Sequence, residues 1–158
     1  MITPILVIPR HQAPPLPASG CWAVANLDFF DPSQWRPRAD VEQDESLLQA
    51  IPYLVLHNAS GALWTYRRRG GDARVDGRMS CGIGGHVEHG DADAAATLLN
   101  ALNREIAKEL GLPLADMPVA RPHEALEGLG FMPADAIPAD PRFELWSHLA
   151  ARFLLKHP

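Results

Sequence analysis

Only two cysteines occur in the 158 residues, Cys21 and Cys81, and they form no CxxC pair. Such usage excludes a disulfide framework and a zinc ribbon, and the expected compartment is the reducing cytoplasm. Long apolar runs are missing as well. None approaches the roughly 18 residues that a membrane-crossing helix needs. The opening MITPILVIPR has a short apolar stretch and no basic leader, so no signal peptide is expected. Basic residues are in deficit, 14 Lys and Arg against 19 Asp and Glu, giving a net charge of −5. That sign excludes broad binding to extended nucleic acid or an anionic membrane, while leaving room for a local basic pocket around a small phosphorylated ligand.

Proline, by contrast, is abundant. Fifteen are present, and six of them fall between Pro113 and Arg142, where regular structure is expected to be sparse. The length suits one domain with its own core. PILVIP reads as a strand, placed at a sheet edge by its bracketing prolines. CWAVANLDFF is either a strand or an irregular apolar segment. The polar stretch from Asp31 to Ala50 is broken by proline, with a helical turn expected near Glu45–Ala50. Two β-rich runs, Tyr53–His57 and Ala62–Arg67, flank the turn residues Asn58-Ala-Ser-Gly61 and predict a hairpin. A short strand follows at Met79–Ile83, and another is expected at Leu126–Met132.

From about Asp93 to Leu110 the period becomes helical. Leu98, Leu102, Ile106 and Leu110 recur every four residues and Leu99 widens the stripe. Asp91 or Asp93 is the expected N-cap and Gly111 the C-terminal stop. A last helix is expected over Arg142–Lys156, with Asp140 as N-cap, Pro141 at the first position and Trp146 in the core.

Chemistry concentrates around SCGIGGHVEHGD, Ser80–Asp91, a glycine-rich loop ahead of the long helix. On that helix Glu105 and Glu109 share a face, being one turn apart. Two such carboxylates opposite exposed backbone suit a hard cation, Mg²⁺ or Mn²⁺, which takes oxygen ligands and leaves positions for phosphate. Solvated helix-face acids beside Arg104 and Lys108 would give the same pattern. His86, Glu88 and His89 offer imidazole and carboxylate to a metal such as zinc, though without a zinc-helix spacing. Arg67, Arg68 and Arg69, next to Gly70-Gly71, suit phosphate contacts or a solvated hairpin end. Trp64 and Tyr66 can stack on a base or pack in the core.

GGHVEHGD followed by REIAKELGL resembles the Nudix box, G-x5-E-x7-R-E-U-x-E-E-x-G-U, where U is aliphatic. Gly85 matches the leading glycine, and Asp91 stands for the first acid. Arg104, Glu105, Ile106, Glu109, Gly111 and Leu112 match the second half. The approach to the box, from Ile51 to His86, is similar to a Nudix subgroup described as predicted phosphoesterases, as are residues 29–53 and the late FELWSHL. The resemblance runs from about Ile5 to Gly111 and resumes near Ala125.

This resemblance implies an α/β (α+β) Nudix fold, a mixed sheet sandwiched between helices and shortened after the box helix. It implies hydrolysis of a nucleoside diphosphate-linked or related phosphoanhydride, dependent on Mg²⁺ or Mn²⁺. Glu105 and Glu109 would be catalytic, and would bind the metal together with the Gly85 carbonyl. Arg67, Arg69 and His86 would contact substrate. Gly84, Asp91, Arg104 and Gly111 would shape the box, with Arg104 pairing to Asp91. Three departures stand out. Lys108 replaces the first acid of the E-E pair, twelve residues separate Asp91 from Arg104 where the pattern has x7, and few strands are expected after the helix. They motivate two rival readings, a ligand-binding module with an impaired metal site and a homodimeric scaffold pairing through an open sheet edge.

Overall fold

The structure, a computed structural model, describes residues 3–15, 18, 20–21, 27, 29–69, 73–93, 96–111 and 126–156. Most of CWAVANLDFF, and Leu112, lie outside them. The chain divides into two compact units, Met1–Pro52 with Gly84–Glu105, and Tyr53–Ile83 with Ile106–Pro158.

In the first unit, β1 (Pro4–Pro9) lies between β2 (Trp35–Pro37) and β3 (Leu47–Gln49), antiparallel to both. It was expected at an edge. Its prolines occupy the two ends, so the amides between them stay available: Leu6 N donates to Val87 O at 2.9 Å and Val7 N to Gln34 O at 2.8 Å. Ile5, Leu6 and Val7 are all buried because both faces are covered. Leu6 packs with Ala50, Val87 and Ala101, while Ile5 and Val7 pack with Val41 and Leu47. Each such Leu or Ile contributes about 2 kcal/mol on leaving water. The segment before β3 also corrects the expectation of a helical turn at Glu45–Ala50. The helix there is the short α1 (Arg38–Val41), and Leu47–Gln49 is strand because it pairs with β1.

In the second unit, β5 (Leu63–Arg68) is flanked by β6 (Met79–Ser80) and β8 (Leu126–Met132), again antiparallel. A second pairing joins β4 (Tyr53–Val55) to β7 (Gly82–Gly84). The predicted hairpin forms only at its turn: Asn58 Oδ1 accepts from Ser60 N and Ala62 N, both at 3.0 Å, and His57 bridges Leu63. Since β4 pairs with β7, and β5 with β6 and β8, the two strands build no ladder with each other. The core of this unit is Leu63, Cys81, Ile137, Phe143 and Ala151.

Two helices complete the α+β class: α2 (Thr97–Leu110) and α3 (Leu145–Lys156). α2 begins at Thr97, with Asn100 N donating to Ala96 O at 2.8 Å. Asp93, an expected N-cap, lies four residues ahead, and its Oδ1 accepts from Ala96 N at 3.1 Å. Gly111 ends the helix at φ 71°, a left-handed value that glycine adopts without strain. Ile106 and Leu110 are buried, but Leu99 is 52% exposed and lies outside the stripe. The start of α3 differs from expectation. Asp140 spends both carboxylate oxygens on Arg142, so Glu144 becomes the cap and accepts from Trp146 N at 2.6 Å and Ser147 N at 3.1 Å. Starting at Leu145 turns Phe143 and Ala151 inward and leaves Trp146 55% exposed, not in the core. No helix among the described residues is long and apolar enough to cross a membrane.

Candidate active site

Val87 anchors the glycine-rich loop within the first unit. Val87 N donates to Ala50 O at 3.2 Å and Val87 O accepts from Leu6 N, which ties the loop to β1 and the end of β3. A 3-10 turn then forms at His89–Asp91. Glu88 and Asp91 cap it reciprocally, with Glu88 N donating to Asp91 Oδ2 at 2.8 Å.

Arg104, arriving from α2, is the hub of this loop. Its Nε donates to Asp91 Oδ1 and its Nη2 to Asp91 Oδ2, both at 2.9 Å. Nη2 also reaches His86 O at 2.8 Å, and Nη1 binds the Glu105 carboxylate. Glu88 adds a longer ion pair at 3.7 Å. A guanidinium fork is the side chain suited to so many fixed acceptors. Burial alone would raise the Asp91 carboxyl, but the Arg104 bonds and the Glu88 amide hold it below the ordinary carboxylate value. The same Asp91 bond holds Arg104 firmly protonated, helped by Glu105 and against the cost of burial.

Glu105 is itself buried, and it lies directly against Gly85. A Cβ added at Gly85 would come to 2.7 Å from both Glu105 Cγ and Oε1. Glycine at this position is therefore a matter of space, and any side chain would displace the carboxylate. His86 Nε2 bonds Gln49 Oε1 at 2.5 Å. Burial first, and then the charge of Arg38, push the His86 imidazole below its ordinary pKa, so the ring is neutral at pH 7.

The other residues singled out by the sequence divide as follows. Gly84 ends β7, immediately before Gly85. Glu109 follows Glu105 by one turn on α2, with Lys108 Nζ 4.0 Å from its carboxylate and the lysine side chain 65% exposed. Arg67 is exposed on β5 and Arg69 directly follows that strand. His86, Glu88 and His89 do not converge. Glu88 caps the 3-10 turn, His86 turns to Gln49, and His89 packs edge-on against Trp35 at 5.1 Å between centroids. Among the described residues no group of three or more His, Cys, Asp or Glu is placed to hold a metal ion.

Two features went beyond the sequence reading. One is the burial of Arg68, read there with Arg67 and Arg69 as a phosphate contact or a solvated hairpin end: its Nε is buried with no hydrogen-bond partner among the described residues. The other is Glu144, a buried carboxylate that accepts from Tyr53 Oη at 3.0 Å and Ser80 Oγ at 3.1 Å besides its capping bonds. Strand alternation would have signalled the first. The second had no local signal, since its partners lie 91 and 64 residues away.

These elements make a Nudix-like α+β fold. The crystal structure of Tm1382, described as a candidate Nudix hydrolase, matches 98% of this chain and 100% of its own with a TM-score of 0.67, at 22% identity. In sequence, Protein YmaB of Bacillus subtilis (strain 168) is 35% identical over 77 residues, 46% of this chain. The chain spans 37% of the length of that relative. No family model matches the chain.

Proposed function

We propose that the protein is a Nudix-type hydrolase, cleaving a phosphoanhydride in a nucleoside diphosphate-linked or related small molecule by water attack at phosphorus. The observation that carries this reading is the convergence of Arg104 on Asp91, Glu105 and the His86 carbonyl, which sets a buried carboxylate against the bare backbone of Gly85. The donor set suits Mg²⁺ or Mn²⁺: carboxylate oxygens of Glu105 and Glu109 and the Gly85 carbonyl are hard ligands. A cation bound there would neutralise phosphate charge and lower the pKa of a bound water.

In this reading each residue has its own contribution. Arg104 positions Glu105 and the loop carbonyl of His86. Gly85 leaves the space into which the carboxylate fits. Glu105 and Glu109 would hold the cation or accept the proton of the attacking water. His86 and the exposed Arg67 and Arg69 would contact the substrate's polar groups.

A second reading, a ligand-binding module with an impaired metal site, is favoured by Lys108, which places a cation beside Glu109 where the Nudix pattern has an acid. Hydrolysis of a panel of nucleoside diphosphate conjugates with Mn²⁺ separates the two. The hydrolase reading requires turnover that falls by about 10²-fold or more in Glu105→Gln. Turnover unchanged in both Glu105→Gln and Glu109→Gln would sink the site. Absence of turnover with ligand binding intact would establish the module.

A further inference from the structure

Within the second unit, β5 divides its side chains between two faces. Leu63 joins the buried cluster with Phe143 and Met132, and Thr65 is buried on that same side, its Oγ1 donating to Gly130 O at 3.2 Å. Trp64, Tyr66 and Arg68 take the opposite face. The Trp64 and Tyr66 ring centroids lie 5.2 Å apart, as same-face neighbours should. Across the ladder Phe131 is the register partner of Trp64, so it shares their face. The ladder slips between Thr65 and Arg67, where two steps on β5 oppose three on β8, Gly130 to Glu127. The extra residue is in β8, so the alternation of β5 is intact.

This face grades from solvent inward. Phe131 is 55% exposed, Trp64 is half-buried, and Tyr66 is buried with its hydroxyl donating to Gly82 O at 2.9 Å. At the inner end stands the half-buried Arg68, whose charge reaches the Tyr66 phenol, as does that of Glu109. The buried Arg68 Nε has no acceptor among the described residues. An exposed aromatic step costs apolar exposure, and an unmet buried donor costs its desolvation. Both costs fall on one face of the β5–β8 pair.

We propose that Phe131, Trp64 and Arg68 form a ligand subsite in which the rings take the flat face of an aromatic group and Arg68 takes an anionic oxygen carried by the same molecule. That is the chemistry of a nucleotide. As a statement about substrate it rests on the hydrolase reading, whereas the binding itself needs no metal.

The test is a titration of adenosine monophosphate, adenosine and inorganic phosphate in EDTA, read by calorimetry and tryptophan fluorescence. Adenosine monophosphate is expected to bind and to quench fluorescence in the native protein, and the quench is lost in Trp64→Phe. Phe131→Ala weakens binding about tenfold, and Phe131→Trp restores it. Arg68→Gln weakens the nucleotide by about tenfold, the factor set by a charged hydrogen bond, and leaves adenosine unchanged. No binding, equal affinity in Phe131→Ala, or a quench that persists in Trp64→Phe overturns the subsite. If the nucleotide binds through Phe131 and Arg68 but no conjugate is hydrolysed, the subsite stands and the hydrolase reading falls. Hydrolysis lost in Glu105→Gln but untouched by Phe131→Ala gives the reverse.

Discussion

Arg104 grips Asp91 with two parallel hydrogen bonds, Nε to Oδ1 and Nη2 to Oδ2, each 2.9 Å, across 13 positions of chain. The Asp91 side chain is 5% exposed and the arginine 32%. Replacing Asp91 by alanine strips the fork of its main acceptor and frees the Glu88 amide. A loss of about 2 kcal/mol in urea unfolding is expected, within the range for leaving buried donors unmet.

The same pair sets an acid limit. The folded-state pKa of Asp91 is depressed below 3.8, so its contribution is fully present above that value and disappears as pH falls through the lower, folded value. Unfolding free energy measured between pH 5 and 2 (a range of roughly three units) should therefore decline more steeply for the native protein than for Asp91→Asn. Parallel curves would show that the pair carries no linkage.

Gly85→Ala should separate stability from function. Its backbone is not in the left-handed region, so alanine is permitted there, but its methyl would meet the Glu105 carboxylate. Thermal unfolding is expected to move by only a few degrees, equivalent to about 1 kcal/mol. Mn²⁺ affinity and turnover should fall at least about tenfold, each tenfold being 1.4 kcal/mol. Unchanged Mn²⁺ titrations would detach the Glu105–Gly85 contact from function.

Glu144 is a cap with a second duty. Besides the Trp146 and Ser147 amides it accepts from Tyr53 Oη, Ser80 Oγ and Ser147 Oγ. Loss of an ordinary N-cap costs about 1 kcal/mol. Glu144→Ala should exceed about 2 kcal/mol because hydroxyls in the interior are orphaned too. An effect no larger than Tyr53→Phe in the same denaturation series would show that the network adds nothing to the cap.

Cys81 should be silent to thiol reagents. It is buried, and burial first, with the Glu144 charge adding, pushes its thiol up to about 11 despite the Ser147 bond. Titration with a chromogenic disulfide at pH 8 should find one thiol reacting in the native protein, Cys21, and a second only on unfolding. Fast reaction of both thiols would contradict the burial.

The glycine-rich loop and the helix behind it were legible because their signals are local. The glycines, the leucine period and the i, i+4 acids each depend on neighbours a few residues away. The turn at Asn58 and the strand at Leu126–Met132 came through for the same reason, while the pairing of β4 with β7 and of β5 with β6 and β8 did not. What failed depends on competition. Asp140-Pro141 is the stronger cap signal by composition, yet Arg142 consumes that carboxylate and the helix starts at Leu145 instead. Trp146 then rotates outward. Prolines at Pro4 and Pro9 suggested an edge, but only the amides between them decide whether a strand can be central. Among the three consecutive arginines, spacing could not say which one shares a face with Trp64 and Tyr66.

The twelve residues between Asp91 and Arg104 have a last consequence. Stretching a connection from seven residues to twelve raises its closure cost by only about 0.5 kcal/mol. The ion pair at its ends is worth more than that. Insertions in this connection should therefore be cheap for evolution to keep, and a search demanding a fixed interval would pass over chains whose charge pairing is intact. What such chains share is the distance spanned in space, not the count of residues that spans it.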